Sequence, residues 1–408
     1  MNNRTPSNSR AHVLAYVLPV VFLTVVGGLW VPAASGSPVS GRYVTPLAPS
    51  SIPLAAATRA VQQYANSTGV FTETSLGAYA LLGITTPTGQ VELVLFNGLR
   101  NVSKVVQGPE PVQLTPNSMV AAGGHFYVQW QNSTSGKETF EVVTTNGVTA
   151  IVKLPLTKTI SWTLIYGDAS HLLAAAPGAL AQVNPATNSL VADYSSFLPS
   201  NVSFQSAAVA PFGFYLGGAQ SAAIGGARPF AGWFDTTTDL LTDLTPTVNG
   251  APGVLTGSID SIALAGNEVY FGGYLAVANF SAGFFEQIVG GYLFGYSTLS
   301  TRFQNLSAIL PASTPAVFGV FPVGRAVVLN TASFLLNVTG STFFFTQSGG
   351  TYVVSGVGTR IKNDTALTGV DFVALLTEAS ESGGFYFVGG SNLTSGLAQV
   401  EAIRLSAL

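Results

Sequence analysis

The stretch that decides the fold is residues 260–311, which read DSIALAGNEVYFGGYLAVANFSAGFFEQIVGGYLFGYSTLSTRFQNLSAILP. Short apolar segments alternate there with Gly, Asn and Ser, a pattern that is typical of strands and turns. We expect a corner at Gly266-Asn267 and a loop from Tyr274 to Gly290. The stretch therefore predicts one four-stranded antiparallel sheet, with strands at Asp260–Ala265, Val269–Gly273, Gly291–Ser297 and Leu306–Pro311.

The second strand of this sheet has counterparts along the whole chain. Seven such segments follow one another at intervals of about 40 to 60 residues, the repeat length of a four-stranded propeller blade. They are Ala78–Gly83, His125–Trp130, His171–Ala176, Phe214–Gly218, Val269–Gly273, Arg325–Asn330 and Phe385–Gly390. The repeats predict an all-β fold: a seven-bladed β-propeller over residues 70–408, with six or eight blades as alternatives.

The last repeat lacks a fourth strand, because the chain reaches only the third one, Gln399–Leu405. An open sheet edge would leave backbone groups unpaired. We expect a strand near Arg42–Leu47 to complete this repeat and close the ring. The Ala-rich segment Leu54–Tyr64 is predicted to be a short helix, so that residues 36–69 form a linker with a ring-closing strand and a helix.

The double-glycine repeats carry a family resemblance. Phe214–Gly218, Val269–Gly273 and Phe385–Gly390 each place an aromatic residue or pair shortly before Gly-Gly. In this they resemble the Kelch-like and galactose-oxidase-like propellers, particularly exported archaeal surface proteins. The resemblance covers about residues 70–408 and implies the propeller fold.

The composition excludes several kinds of chemistry. The chain has no Cys, which excludes thiol nucleophiles, disulfides, Cys-ligated zinc sites and the copper-radical chemistry of galactose oxidase. Its net charge is −3, and no basic cluster indicates a nucleic-acid partner. Charged residues make up 8% of the chain, so other polar groups must hydrate most of the surface.

The N-terminus predicts export. Arg4 and Arg10 precede an apolar run from Val13 to Val31, and small residues such as Ala33 and Ser35 follow it. This order is typical of a secretory signal, and the run is also long enough to span a membrane as a helix. Residues 1–35 are therefore a cleaved signal peptide or a membrane anchor. Both alternatives place the body outside the cytoplasm, either secreted or anchored to the outer face of the cell membrane.

Triplets of the form Asn-x-Ser/Thr, the acceptor sites for N-glycosylation, recur through the body. The candidate asparagines are Asn66, Asn101, Asn132, Asn201, Asn279, Asn305, Asn337, Asn363 and Asn392. Chance occurrence in a chain rich in Asn, Ser and Thr is the alternative explanation.

The sequence contains no obvious catalytic constellation. His125 and His171 open corresponding strands and are interpreted as polar edge residues, while Asp235, Asp239 and Asp243 are interpreted as turn residues rather than calcium ligands. Trp130, Trp162 and Trp233 are interpreted as packing between blades. Carboxylates for glycoside hydrolysis would have to come from distant repeats, for example Glu73, Glu138, Asp168 and Asp371. We predict no catalytic, metal or cofactor site.

The sequence thus favours a non-catalytic extracytoplasmic surface protein that binds protein or glycan partners through a propeller face. The Tyr274–Gly290 loop is the candidate partner-binding segment, through the aromatic residues Phe280, Phe284 and Phe285. Two alternatives remain: a secreted carbohydrate-active hydrolase and a self-assembling component of a cell-surface layer.

Overall fold

A computed structural model describes residues 59–404, apart from 158–160, 222–226, 247–253, 266, 280–284, 306, 308–315, 324–325, 338–339, 345–350, 356–359, 364–377, 383 and 392–394. Within these residues the regular structure is β-strand, with one 3-10 turn at Ser195–Phe197. The hydrophobic run Val13–Val31 and the predicted strand Arg42–Leu47 lie outside the described residues.

Four antiparallel sheets of four strands make up the first part of the chain, after a single strand β1, Arg59–Tyr64. The first sheet is β2 (Gly69–Leu76), β3 (Tyr79–Thr85), β4 (Val91–Asn97) and β5 (Val102–Glu110). The second is β6 (Leu114–Ala122), β7 (His125–Asn132), β8 (Glu138–Val143) and β9 (Thr149–Val152). The third is β10 (Thr163–Gly167), β11 (Leu172–Ala176), β12 (Ala179–Asn184) and β13 (Ser189–Asp193). The fourth is β14 (Val202–Ala210), β15 (Gly213–Ser221), β16 (Ala227–Asp235) and β17 (Leu240–Asp243).

A nine-stranded sheet follows and consists of two units. The first unit is β18 (Val254–Ala265), β19 (Glu268–Asn279), β20 (Phe285–Ser297) and β21 (Arg302–Asn305). The second is β22 (Ala316–Val323), β23 (Ala326–Asn337), β24 (Gly340–Phe344), β25 (Thr351–Ser355) and β26 (Arg360–Asn363). The two units are joined where Tyr274 of β19 pairs with Ala316 of β22.

The last sheet combines both ends of the described chain. Strands β27 (Glu378–Ser382), β28 (Phe385–Ser391) and β29 (Ala398–Arg404) supply three positions, and β1 supplies the fourth. Strand β1 pairs antiparallel with β29, from Arg59 opposite Ile403 to Tyr64 opposite Ala398. The helix predicted for Leu54–Tyr64 is therefore wrong over Arg59–Tyr64. The unpaired backbone of β29 and the burial of Ala60 outweigh the helix propensity of this Ala- and Gln-rich segment.

The sheets are arranged in a ring. The first strand of each unit contacts the first strand of the next, in the order β2, β6, β10, β14, β18, β22 and β27, and β27 contacts β2 again. A closed circle of four-stranded antiparallel sheets is the arrangement of a β-propeller. The seven segments predicted as second strands all fall in second strands, β3, β7, β11, β15, β19, β23 and β28.

The hydrophobic core lies between neighbouring sheets. The rings of Phe96 in the first sheet and Phe387 in the last meet edge to face at 6.2 Å, and Tyr215 of the fourth sheet meets Phe271 of the fifth unit in the same way at 6.3 Å. Similar apolar clusters join the first sheet to the second, the second to the third and the third to the fourth. Packing between faces of successive sheets therefore holds the described ring together.

Close packing around a β-bulge explains the double glycines. The first strands β14 and β18 each contain one extra residue, Gln205 and Asp260, opposite the Gly-Gly pair of the following strand. A Cβ on Gly217 would lie 2.6 Å from Ile259 of the next unit, and one on Gly218 would lie 2.0 Å from the Ser203 carbonyl oxygen. The absence of a side chain at Gly217 thus lets the neighbouring sheet pack closely. Its absence at Gly218 lets the bulged strand of the same sheet pack closely.

Two predictions within residues 260–311 need correction. The fourth strand of this unit is β21, Arg302–Asn305, which precedes the predicted segment Leu306–Pro311; of that segment only Ser307 is among the described residues. The predicted Tyr274–Gly290 loop is strand over most of its length, because β19 continues to Asn279 and β20 begins at Phe285. The apolar residues of this segment pair along an extended hairpin instead of forming a loop.

Candidate interaction faces

The alternation of strand direction gives the ring two different faces. We call "lower face" the one that carries the turns from first to second strand and from third to fourth strand of each sheet. The "upper face" carries the turns from second to third strand and the connections between sheets. Because each sheet has four antiparallel strands, every sheet begins and ends at the upper face.

Hydrogen bonds between neighbouring sheets join turns of the same face. On the lower face the Gly123 N–H donates to the Asp168 carbonyl oxygen at 2.9 Å, and the Gly77 N–H donates to Ser382 Oγ at 2.8 Å. The Lys104 ammonium group donates to the Asn146 carbonyl oxygen at 3.1 Å. These contacts show that the lower-face turns of successive sheets lie at the same level.

The lower face exposes large apolar side chains at its turns. Five of them are between 62 and 77% exposed: Leu99, Val148, Phe212, Leu240 and Leu299. Leu99 and Val148 belong to the first and second sheets. Phe212, Leu240 and Leu299 belong to the fourth sheet and the unit that follows it. The Thr236 N–H donates to the Phe212 carbonyl oxygen at 3.0 Å, which ties together the two corners that carry Phe212 and Leu240. Among the described turns of the upper face, Val112 and Phe197 are the exposed large apolar residues.

Sequence reasoning missed these five residues. A signal was available, because each one interrupts or borders a polar corner, as in Asn97-Gly98-Leu99-Arg100 and Asn146-Gly147-Val148. Exposed apolar side chains that share one face are candidates for a contact surface.

His125 and His171 lie on the lower face, at the first turns of neighbouring sheets. His125 Nδ1 is 3.0 Å from the Gly123 carbonyl oxygen, and His171 Nδ1 is 2.9 Å from Asp168 Oδ1. Partial burial opposes ionisation of Asp168, but hydrogen bonds from Ser170 and His171 lower the pKa of its carboxyl group. Each imidazole is thus part of a local turn, and the part of the chain that the structure describes contains no cluster of metal-ligating side chains.

The three aspartates of the fourth sheet also act in turns. Asp235 Oδ1 accepts hydrogen bonds from the Thr237 N–H at 2.8 Å and the Thr237 hydroxyl at 2.6 Å, and these bonds lower the pKa of Asp235. Asp243 Oδ1 accepts from the Thr245 N–H at 2.8 Å, at the other end of β17. Asp239 adopts a positive φ of 57° in the corner between them. Asp235 and Asp243 lie on opposite faces of the ring and do not form one site.

The candidate carboxylates are not brought together. Glu73 is buried on β2, whereas the carboxyl of Glu138 on β8 accepts a hydrogen bond from the Ser161 hydroxyl. Asp168 is at the lower-face corner of the third sheet, and Asp371 lies outside the described residues. Trp130 and Trp162 are buried between sheets, and Trp233 packs against the core between the fourth sheet and the next unit. This confirms the packing interpretation of all three tryptophans.

A polar contact lies between the bulges of two neighbouring first strands. The Ser258 hydroxyl of β18 donates to Oε1 of Gln205, the bulge residue of β14. Burial raises the pKa of Asp260, the bulge residue of β18, to about 6, although a hydrogen bond with Ser258 has the opposite effect. Nothing in the sequence around Asp260 indicates this, because its surroundings come from the arrangement of the sheets.

The predicted partner-binding residues lie largely outside the described residues. Phe280 and Phe284 are not described, and Phe285 is the first residue of β20, at the upper face. Of the nine glycosylation candidates, eight are described and Asn392 is not. In the described part of the chain no helix is long and apolar enough to cross a membrane.

Comparisons with known proteins give distant structural likeness only. No protein-family model matches the chain, and no curated protein matches it. The chain is similar to a streptogramin B lyase structure, with a TM-score of 0.48 and 10% identity over 85% of this chain and 98% of that one. It is also similar to the β-propeller domain of the trilobed protease from Pyrococcus furiosus, with a TM-score of 0.49 and 11% identity over 84% of this chain and 99% of that one. A prolyl endopeptidase matches with a TM-score of 0.43 and 10% identity, over 83% of this chain and 46% of that one. The assignment of a β-propeller rests on the closed ring of sheets, and none of these likenesses assigns an activity to the chain.

Proposed function

We propose that this protein is a non-catalytic, extracytoplasmic surface protein that binds a partner through one face of its β-propeller. The observation that carries the proposal is the set of exposed apolar side chains on the lower face, Leu99, Val148, Phe212, Leu240 and Leu299. Burial of such groups removes apolar surface from water, and each one that is covered contributes roughly 1–2 kcal/mol to association.

A protein partner fits this face better than a glycan. Sugar-binding surfaces use aromatic platforms with hydrogen-bonding groups around them, and Trp130 and Trp162 are buried between sheets. Leu, Val and Phe at exposed corners instead match the apolar centre of a protein interface, and the exposed Arg100 and Arg302, in the same corners as Leu99 and Leu299, supply part of a polar rim.

The propeller has seven blades in this proposal. Five four-stranded sheets supply five blades, and the nine-stranded sheet supplies two, which divide at the pair Tyr274–Ala316. Seven first strands in cyclic contact support this number. The Gly-Gly strands of β15, β19 and β28 support a Kelch-like subtype.

Export and anchoring belong to the same proposal. The apolar run Val13–Val31 serves as a signal peptide or as an anchor, and both place the ring on the outer side of the membrane. The first residue of β1, Arg59, is at the lower face, so a retained anchor would tether the ring from that side.

Photo-cross-linking on intact cells tests the proposed face. A photoreactive residue replaces Phe212 on the lower face or, as a matched control, Phe197 on the upper face, which is also exposed. We expect position 212 to capture a distinct protein at least tenfold more efficiently than position 197. Equal capture from both positions, or capture of nothing from position 212, would overturn the proposal. Capture of the same chain would favour a self-assembling layer.

A further inference from the structure

The two faces differ in their N-glycosylation triplets. Of the eight described candidate asparagines, seven lie at the upper face and one, Asn101, lies at the lower face. The upper-face positions are at ends of second strands, ends of fourth strands, or connections between sheets: Asn132, Asn279, Asn337, Asn305, Asn363, Asn66 and Asn201.

Composition alone does not explain this division. The described lower face carries five further asparagines at strand ends and corners, Asn97, Asn146, Asn184, Asn188 and Asn267, and none is followed by Ser or Thr two positions later. Every described asparagine at a strand end or connection of the upper face is in such a triplet, whereas Asn117 and Asn330, which lie inside β6 and β23, are in none. Asparagine therefore occurs at both faces in similar numbers, but the acceptor triplet is concentrated on one.

The exception has a structural explanation. In Asn101-Val102-Ser103 the serine hydroxyl donates to Gln62 Oε1 at 2.9 Å and lies 2.9 Å from the Tyr64 hydroxyl. The side-chain amide of Gln62 in turn donates to the Asn101 carbonyl oxygen at 2.9 Å. Ser103 thus connects β5 to the ring-closing strand β1 of another sheet, whereas the hydroxyls of Thr68 and Ser307, in upper-face triplets, bond within their own sheets.

Upper-face acceptor positions are accessible. Asn66, Asn201 and Asn305 are exposed, and Asn132 is partly exposed. The Oδ1 atom of Asn132 accepts from the Thr134 N–H at 3.0 Å, and that of Asn305 accepts from the Ser307 N–H at 2.9 Å. These turns hold the side chains through Oδ1, whereas a glycan is attached at the other side-chain atom, Nδ2.

We infer that the upper face is modified by N-linked glycans and that the lower face is not. The inference rests on the export of the chain in the proposed function. In the transfer, Nδ2 of the asparagine attacks the anomeric carbon of a lipid-linked glycosyl phosphate, supplied with its transferase by the cell. The new C–N bond forms as the bond from that carbon to the phosphate oxygen breaks. The phosphate leaves with the electron pair, and Nδ2 releases one proton.

Glycans on the upper face would make the two faces of the ring differ in their accessibility to other macromolecules. Sugars on the upper face hydrate a surface in a chain with 8% charged residues, and they keep other macromolecules away from it. The lower face, with its exposed Phe212 and Leu299, remains open to a protein partner.

Site-by-site glycopeptide mass spectrometry of the full chain, purified from its own cells, tests the inference. We expect glycan masses on peptides that contain Asn66, Asn132, Asn201 and Asn305, and an unmodified peptide that contains Asn101. Unmodified peptides at all upper-face sites would overturn the inference, as would occupancy of Asn101 equal to theirs.

Protease treatment of intact cells separates this result from a failure of the proposed function. A chain that is cleaved from outside but carries no sugar is exported, so only the glycan inference fails. A chain that is protected from protease inside intact cells is not exported, and both proposals then fail. Ser203→Ala removes the Asn201 triplet alone, and we expect it to remove the glycan from that one peptide.

Discussion

Asp260 illustrates, at the scale of the residue, how the ring sets the properties of one side chain. It is the extra residue of a bulge in a first strand, and burial raises the pKa of its carboxyl group to about 6. The folded protein therefore binds a proton here more tightly than the unfolded chain does. Stability from this group is greatest at low pH and falls as the pH rises from about 4 to above 6.

Asp260→Asn should remove this loss of stability with rising pH, because the amide does not ionise. We expect the variant to gain stability relative to the unmodified protein as the pH increases, by on the order of 1–2 kcal/mol at pH 8 after allowance for partial solvent exposure. Equilibrium unfolding in urea between pH 4 and pH 8 measures the difference. A difference that does not vary with pH would show that Asp260 ionises normally.

Asp235→Asn is the matched control with the opposite sign. The pKa of Asp235 is lowered by its hydrogen bonds with Thr237 and Thr238, so its ionised form stabilises the fold above the ordinary pKa of an aspartate. The control variant should lose stability relative to the unmodified protein as the pH rises to about 4, and the difference should stay constant from about pH 5 to pH 8.

Single residues also show where sequence reasoning reaches its limit. The double glycines Gly217-Gly218 and Gly272-Gly273 indicated a repeated strand, and they do lie opposite bulges. The raised pKa of Asp260 and the exposed Phe212 were not predicted. Both depend on which sheets become neighbours and on which turns remain uncovered, and local composition does not encode these facts.

At the scale of the element, the second strands were predictable and the ring-closing strand was not fully so. Second strands such as β15 and β19 are buried on both sides, and their aromatic and apolar residues give a strong signal. Strand β1 reads RAVQQY, which favours a helix by local propensity. Its strand conformation comes from pairing with β29, hundreds of residues away.

A pair of truncations tests the role of β1. Deletion of residues 1–64 removes the fourth strand of the last sheet, and deletion of residues 1–58 retains it. We expect the longer deletion to lower the free energy of unfolding by roughly 3–6 kcal/mol, because six residue pairs with β29 are lost. The shorter deletion should have little effect.

Thermal unfolding of the two truncated proteins, followed by circular dichroism, measures this difference. Exposure of the β29 edge should also promote association, which light scattering detects. Equal melting temperatures would show that β1 contributes no stability to the ring.

At the scale of the whole molecule, our proposals give the two faces separate roles. The sequence predicted the acceptor triplets, but only the strand order reveals that seven of the eight described ones share a face. The predicted binding segment around Phe285 lies at the upper face, whereas the exposed apolar residues place the proposed contact on the lower face.

A glycan introduced on the lower face should block partner binding. The substitution Val148→Thr completes an acceptor triplet that begins at Asn146, at an exposed corner. We expect the sugar on Asn146 to reduce capture of the partner at position 212 at least tenfold, since it covers the contact surface. Mass spectrometry reads the occupancy of Asn146, and cross-linking reads the capture.

The double variant Asn146→Gln, Val148→Thr is the control, because it has the same threonine and no acceptor. Because Val148 is one of five apolar contact residues, the control should keep part of the capture and exceed the glycan-bearing protein at least tenfold. Full capture by a protein that carries the glycan on Asn146 would contradict the assignment of the lower face.

The pairing of β1 with β29 also fixes the order of events during biogenesis. Strand β1 is synthesised early, and its partner is synthesised only when the ribosome reaches residues 398–404. The ring therefore stays open throughout synthesis, and a chain that is translocated as it is made passes the membrane before it can lock. In the proposed export, closure would then take place outside the cell, as a late step of maturation, on the side of the membrane where the proposed function places the ring.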